Sequence, residues 1–102
     1  MSIDPFFQMT VEDVFFIRGH GTVVTGKIEA GTVKTGDQVV LQHGGASRTV
    51  TVTGIEMFRK VLNQASTGDN IGVLLKDVTK DDVARGDVLS GGTGSQDFSW
   101  KA

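Results

Sequence analysis

Cysteine is absent from the 102 residues of this chain, and proline occurs once. The missing cysteine excludes disulfide bonds and thiolate metal sites, and it is typical of a reducing compartment such as the cytoplasm. No apolar run approaches the ~20 residues that span a bilayer. The opening residues, MSIDPFF, also lack the basic start and apolar core of a signal peptide. We therefore expect a soluble cytoplasmic protein with no membrane partner.

An excess of basic charge is missing as well. Ten Lys and Arg against twelve Asp and Glu give a formal net charge of −2. Proteins that bind many phosphates usually carry a basic excess, because counterion release supplies most of that affinity. Any contact with nucleic acid should therefore be small and local.

Glycine, in contrast, is abundant at 14 positions. The glycines separate short runs of β-branched residues, which is typical of many short strands joined by tight turns. Three glycines are followed by aspartate and then by an apolar run. Glycine supplies the positive φ of a tight turn and the short acid bonds to nearby backbone groups, so these pairs predict strand-entry turns. The pairs are Gly36-Asp37, Gly68-Asp69 and Gly86-Asp87.

Six runs of the sequence are predicted strands. The second run alternates between an apolar face with Val24 and Ile28 and a polar face with Lys27 and Glu29, which suits a half-buried strand. Val23 falls on the polar face as an exception. The predicted strands are residues 9–18, 22–29, 38–41, 48–58, 70–76 and 88–90.

Two local features modify this pattern. The alternation of the longest run breaks at Ile55, and a bulge at Thr53-Gly54 would restore it. Residues 79–85 predict one helical turn, with Thr79 as its N-cap and Asp82 three residues further on.

The predicted fold class is all-β: a small closed or nearly closed antiparallel β-barrel of about six strands, with one short helical turn. Closure suits so short a chain because it removes exposed sheet edges. We place the barrel at residues 9–90, between an N-terminal tail at residues 1–8 and a flexible C-terminal tail at residues 91–102. In the second tail, Phe98 and Trp100 are candidate anchors.

The run from Gly21 to Lys27 fits G-x-x-x-x-G-K, the opening of a phosphate-binding P-loop. However, the next residue is Ile28, where that loop has Ser or Thr for magnesium, and the four central residues are all β-branched. No helix pattern follows to add its dipole. We therefore predict a strand here and no nucleotide site.

Residue patterns of catalysis are missing too. The two histidines, His20 and His43, have no obvious partner, and the acids of Asp81-Asp82 stand at a predicted helix start, where they serve the N-terminal dipole. The sequence has no G-x-S-x-G elbow, no H-E-x-x-H motif and no cysteine nucleophile. We expect no enzymatic activity, no cofactor and no metal site.

A series of phrases in fixed order resembles domain 2 of the translation elongation factor Tu family over roughly residues 9–90. One phrase alone would be a weak signal, but six in register are specific. The phrases are Glu12-Asp13-Val14-Phe15, Gly19-His20-Gly21-Thr22-Val23-Val24-Thr25-Gly26, Gly31-Thr32-Val33-Lys34-Thr35-Gly36-Asp37, Thr53-Gly54-Ile55-Glu56-Met57-Phe58-Arg59-Lys60, Gly68-Asp69-Asn70-Ile71-Gly72-Val73-Leu74-Leu75 and Arg85-Gly86-Asp87-Val88-Leu89.

This resemblance implies a β-barrel that lies beside a GTPase domain and holds the 3′ aminoacyl end of tRNA. It implies Glu56 against the terminal adenosine, Arg59 near the terminal phosphates, and Asp13, Phe15 and Asn70 around the amino acid and its α-amino group. These chemical types suit such a ligand, since oxygens accept from ammonium, a ring packs on planar or apolar groups and Arg binds phosphate. The implied aminoacyl-tRNA-binding residues are Glu12, Asp13, Phe15, Thr25, Glu56, Arg59 and Asn70.

Each of these residues also has an ordinary structural interpretation. The acids fit solvated strand charges, Phe15 fits a core position, Asn70 a turn and Arg59 a surface cation. Two residues depart from the family pattern. His20 stands where the family commonly has Arg, and Phe16 replaces a small polar residue, so either the core differs or an aromatic side chain is exposed.

The resemblance also implies partners: the acceptor end of aminoacyl-tRNA and, in the full factor, a GTPase domain or the ribosome. Nothing before Met9 or after Gly91 resembles the GTPase domain or the third domain of the factor, so we expect this chain alone neither to bind nor to hydrolyse GTP. The alternative function is a protein-interaction barrel that docks a ribosomal or GTPase partner without binding tRNA. We expect a monomer.

Overall fold

The computed structural model describes residues 7–91. Most of both predicted tails, including Phe98 and Trp100, lies outside the described residues. Residues 7–91 form ten strands and no helix, so this part of the chain has no helix that could cross a membrane. The strands are β1 (Phe7–Thr10), β2 (Asp13–Ile17), β3 (Gly21–Ala30), β4 (Thr32–Lys34), β5 (Gln38–His43), β6 (Ala46–Met57), β7 (Lys60–Leu62), β8 (Gln64–Ser66), β9 (Asn70–Leu75) and β10 (Val88–Gly91).

Six strands close the barrel. They pair antiparallel in the order β1, β10, β5, β6, β9 and β3, and β3 returns to β1. Outside this ring, β2 pairs with β3, β7 pairs with β6, and β4 and β8 form a separate two-stranded ribbon. The predicted all-β barrel of about six antiparallel strands is confirmed.

The apolar face of each strand fills the barrel interior. In β3, Val24 and Ile28 are fully buried while Lys27 and Glu29 are exposed, which confirms the predicted alternation. Burial stabilises a large apolar side chain by about 1.5–3 kcal/mol relative to exposure. Phe7 is fully buried too, so the barrel core begins two residues before the predicted start of the domain. The other largest fully buried side chains are Met9, Leu41, Ile55 and Leu89.

Gly26 lets β1 cross close to β3. A Cβ atom at this position would collide with the carbonyl oxygen of Thr10 and would lie 3.2 Å from the Met9 side chain. Glycine in a strand interior commonly marks such a close backbone approach. The G-x-x-x-x-G-K sequence lies entirely within β3, so the predicted strand is confirmed.

The predicted single first strand is wrong, because the chain forms β1 and β2 with a break at Val11 and Glu12. Val11 bonds through both backbone groups to the turn before β10, donating to the carbonyl of Asp87 and accepting from Gly86, each at 2.8 Å. The N–H of Glu12 then donates to the carbonyl of Thr25 at 2.7 Å and brings the chain onto β3. In the described chain β2 pairs with β3 alone, so it is an edge strand.

The predicted helical turn is also wrong. The segment between β9 and β10, residues 76–87, consists of tight turns, and we call it the strap. Its Thr79 and Asp82 bond reciprocally: the Thr79 N–H donates to Oδ2 of Asp82, and the Asp82 N–H donates to the Thr79 carbonyl, both at 2.9 Å. A helix does not follow, because Val83 turns into the core and the next turn closes at Asp87.

The three Gly-Asp turns are confirmed and share one geometry. Each Asp accepts through Oδ2 the N–H of the residue three positions earlier, at 2.7–3.0 Å, and returns its own N–H to that residue's carbonyl at 3.0 Å. The preceding glycines have φ values of +95° to +99°, which other residues rarely adopt. The turns lead directly into β5, β9 and β10.

The predicted bulge in β6 is confirmed. The register of β6 against β9 shifts between Val52 and Gly54. Because of the extra residue, Val52 and Ile55 are both buried although their positions differ in parity. The bulge therefore leaves the next residue, Glu56, on the outer face of the barrel.

Candidate functional site

Three of the predicted site residues lie in one row across the outer face. Strand register pairs Asp13 with Thr25, Thr25 with Gly72, and Gly72 with Glu56, from β2 through β3 and β9 to β6. Paired residues project from the same face, with Cβ atoms about 4.5–5.5 Å apart. Gly72 has no side chain, so the row has a gap between the hydroxyl of Thr25 and the carboxylate of Glu56.

A cleft of about 230 Å³ opens beside this row. Four of the seven predicted residues line it: Glu12, Thr25, Glu56 and Asn70. Two carboxylates, a hydroxyl and an amide are thereby brought to one concave surface. Such a set accepts hydrogen bonds from a cationic or hydroxyl-bearing group. The remaining lining residues are Gly26, Met57, Phe58, Ile71 and Gly72.

Asp13 lies beside the cleft, in the row but not in the lining. Its Oδ1 accepts a hydrogen bond from Nη2 of Arg85 on the strap, at 2.9 Å. Both side chains of this ion pair are well exposed, so its net contribution to stability is small. The carboxylate of Asp13 therefore already has a cationic partner.

An apolar row lies next to the polar one. Register pairs Phe15 with Val23 and Val23 with Leu74. Phe15 is 50% exposed, so its interpretation as a core residue is wrong. Val23, the exception in the predicted pattern of β3, is only 6% exposed because it lies between β2 and β9 on the outer face. This row offers a ligand an aromatic and aliphatic surface.

Arg59 lies in the turn that joins β6 to β7. Met57 pairs with Lys60, so Phe58 and Arg59 form a two-residue hairpin loop. Phe58 is 86% exposed and lines the cleft, whereas the exposed side chain of Arg59 is not part of the lining. Arg59 therefore directly follows a lining residue of the cleft in the chain, and Val61, which is 77% exposed, pairs with Glu56 in the same hairpin.

Sequence reasoning missed Phe58 and Gly72 as site residues. Gly72 carried a signal, because it stands between Ile71 and Val73 inside β9, and glycine inside a strand often marks a close approach. Phe58 carried no such signal, because its exposure follows from the hairpin turn. Among the two departures from the family pattern, Phe16 is an exposed aromatic, at 62%. His20 is exposed in the β2–β3 loop, where its N–H donates to the Ile17 carbonyl at 2.9 Å.

No group of three His, Cys, Asp or Glu side chains that could hold a metal ion occurs in residues 7–91.

A sequence model of the family described as elongation factor Tu domain 2 matches residues 21–90. The match runs from the start of β3 to within one residue of the end of β10 and contains Thr25, Glu56, Arg59 and Asn70, whereas Glu12, Asp13 and Phe15 precede it. A match over more than half of the chain, on a closed antiparallel barrel, identifies the fold and the lineage together. The chain belongs to the elongation factor Tu domain 2 family.

Proposed function

We propose that the outer-face cleft binds the 3′ aminoacyl end of an aminoacyl-tRNA. The observation that carries this proposal is the convergence of Glu12, Thr25, Glu56 and Asn70, which are far apart in sequence, on one concave surface. Solvated strand charges with no common role would have no reason to converge there.

Each group in or beside the cleft contacts a different part of the ligand. The amide oxygen of Asn70 and the carboxylate of Asp13 accept hydrogen bonds from the α-ammonium group, with Thr25 in support. Glu56 accepts from the terminal adenosine, and the exposed ring of Phe15 gives the aminoacyl end a planar surface. Arg59, at the rim, reaches the terminal phosphates, to which a guanidinium binds in a bidentate manner.

The charge of the domain limits how this binding works. A net charge of −2 does not support contact along the tRNA body, so affinity depends on the acceptor end. With one or two phosphates neutralised, log K should fall against log salt with a slope of about −1. In a longer factor the barrel would pack against a GTPase domain, which supplies further contacts, and would act in cytoplasmic translation.

The test is an NMR titration of the domain with an aminoacylated CCA oligonucleotide and with its deacylated counterpart. Glu56→Gln should weaken binding of both probes, because the group that accepts a hydrogen bond from the terminal adenosine loses its negative charge. Glu29→Gln is the matched control: Glu29 lies on the same strand face as Thr25 but accepts hydrogen bonds from Gln8 and Thr10 at 3.0 and 2.8 Å, away from the cleft. It should bind as the wild type does.

Phe15→Ala tests the aromatic surface. Loss of a stacking ring typically costs about 1–3 kcal/mol, so affinity should fall roughly ten- to hundredfold. Phe16→Ala removes the neighbouring exposed ring from the opposite strand face and should leave affinity unchanged. Chemical-shift changes scattered over the barrel, or equal binding of the two probes, would argue against the proposed function.

A second candidate function is docking of a ribosomal or GTPase protein without tRNA binding. The observation that favours it is the edge strand β2, where Phe16 and Ile17 are exposed beside Phe15. Edge strands with apolar side chains are common sites of strand addition. Under this alternative, Phe16→Ala would weaken partner binding and Glu56→Gln would not.

A further inference from the structure

The turn between β6 and β7 adopts a backbone conformation that its residues disfavour. Phe58 has φ +53° and Arg59 has φ +68°. Positive φ at both central positions of a two-residue hairpin is the type I′ pattern, which strongly prefers Asn-Gly or Gly-Gly. For a bulky side chain such as that of Phe58 this region is a true outlier, and holding it costs stability.

The same protein contains a hairpin without this cost. His43 at the end of β5 pairs with Ala46 at the start of β6, and the two residues between them are Gly44 and Gly45. Gly44 takes its φ of +62° without strain. The β5–β6 loop, which lies outside the cleft lining, therefore has glycines. The β6–β7 loop, whose Phe58 lines the cleft, has Phe and Arg instead.

Burial of the Phe58 ring does not compensate for the strain. The Phe58 side chain is 86% exposed, so it adds almost no apolar burial to the core. It does lie on the wall of the cleft with Glu56 and Asn70. Backbone strain held by the surrounding structure, on a side chain that the fold does not use, is typical of a ligand-binding element.

We propose that the Phe58–Arg59 turn is a positioning element that sacrifices fold stability to hold an aromatic wall beside the cleft and a cation at its rim before the ligand arrives. This inference rests on the proposed function and deepens it. A preformed wall reduces the ordering that binding requires, because the ring need not be immobilised when the ligand enters. The strained turn thus improves affinity at the expense of the free energy of folding.

The test compares a relaxed turn with the native one. The double substitution Phe58→Asn with Arg59→Gly installs the preferred type I′ pair, and Phe58→Ala removes the ring while leaving a non-glycine residue at positive φ. Asp77→Gly is the matched control, since Asp77 also has a positive φ, +60°, but is not part of the cleft lining. Each variant is measured for its urea unfolding midpoint and for its affinity for the aminoacylated CCA oligonucleotide.

The relaxed turn should raise the unfolding midpoint and lower affinity at least tenfold. Phe58→Ala should lower affinity without raising the midpoint, and Asp77→Gly should leave affinity unchanged. The inference is overturned if the relaxed turn is no more stable than the wild type, or if it binds as tightly. The unfolding comparison tests the strained turn without any ligand. The proposed function would fail by a different result, namely equal binding of the aminoacylated and deacylated probes by the wild type.

Discussion

Arg85 on the strap donates a hydrogen bond to the carboxylate of Asp13 on β2, with 2.9 Å between Nη2 and Oδ1. This ion pair joins the edge strand to the segment that precedes β10. It also places a cation beside the row that leads into the cleft, so the local charge of the site depends on a residue outside it.

Arg85→Met should therefore alter binding more than stability. An exposed ion pair contributes about 0–1 kcal/mol, and the unfolding free energy should change by no more than that. Freed from its partner, Asp13 should attract the α-ammonium group more strongly, which raises the preference for the aminoacylated over the deacylated probe roughly two- to fivefold. Arg48→Met removes a cation that pairs with Asp82 at 3.3 Å and should leave that preference unchanged. An unaltered preference in Arg85→Met would mean that Asp13 does not contact the ligand.

Gly26→Ala should destabilise the barrel. The added methyl group would collide with the backbone carbonyl of Thr10, which cannot rotate away as a side chain can. Overpacking of this kind typically costs about 1–3 kcal/mol, measurable by urea unfolding. Gly54→Ala is the control, because its Cβ would meet only the Leu74 side chain, at an ordinary 3.6 Å. Equal stability of the two variants would contradict the close approach of β1 to β3.

Asp82 should make the strap sensitive to acid. The pKa of its carboxyl is lowered from the ordinary 3.8, first by the backbone N–H of Thr79, then by the Thr79 side chain and by the charge of Arg48. A lowered folded-state pKa means that the ionised group stabilises the fold above about pH 3.8 and that this stabilisation is lost as pH falls through the folded value.

Asp82→Asn should thus be less stable than the wild type at pH 7, with a difference that disappears as pH falls below 3.8. Urea unfolding at several pH values from 7 to 2.5 measures it. Asp81→Asn carries the same charge change one residue away and should show a smaller difference at neutral pH. A gap between wild type and Asp82→Asn that persists in acid would show that the charge is not responsible.

The G-x-x-x-x-G-K sequence should bind no nucleotide. Lys27 lies on the exposed face of β3, and the preceding Gly26 faces the core. Because β3 is paired with β2 on one side and β9 on the other, its backbone N–H groups are hydrogen-bonded within the sheet and are not available to a phosphate. Isothermal calorimetry with GTP or ATP and magnesium should detect no specific binding. Micromolar affinity abolished by Lys27→Ala would refute this.

The strands and turns of this fold could be predicted because their signals are local. The Gly-Asp turns, the alternation of β3 and the bulge before Ile55 each depend on neighbouring residues. The sequence did not predict the short strands β4, β7 and β8, and two further errors arose where distant contacts determine the structure. Val11 breaks the first strand to bond with Asp87, and Val83 ends the predicted helical turn by entering the core.

The residues of the candidate site also fall into those that the sequence predicted and those that it did not. The family resemblance pointed to Glu56 and Asn70, and both line the cleft. The partner of Asp13 could not be predicted, because Arg85 lies far along the chain and no sequence pattern joins an edge strand to a strap. Phe58 was missed because the importance of its side chain follows from a backbone angle, which composition and periodicity do not report.

The bulge in β6 has a consequence for protein engineering. Grafting the seven proposed residues onto a regular six-stranded barrel, at the same spacing, would bury Glu56 and expose Ile55, because one residue fewer on the strand reverses inside and outside. A transplant that keeps this spacing must therefore carry the bulge between Val52 and Ile55 along with the side chains. Conversely, Thr53 is the position where a one-residue deletion would straighten the strand and still leave the acid facing outward.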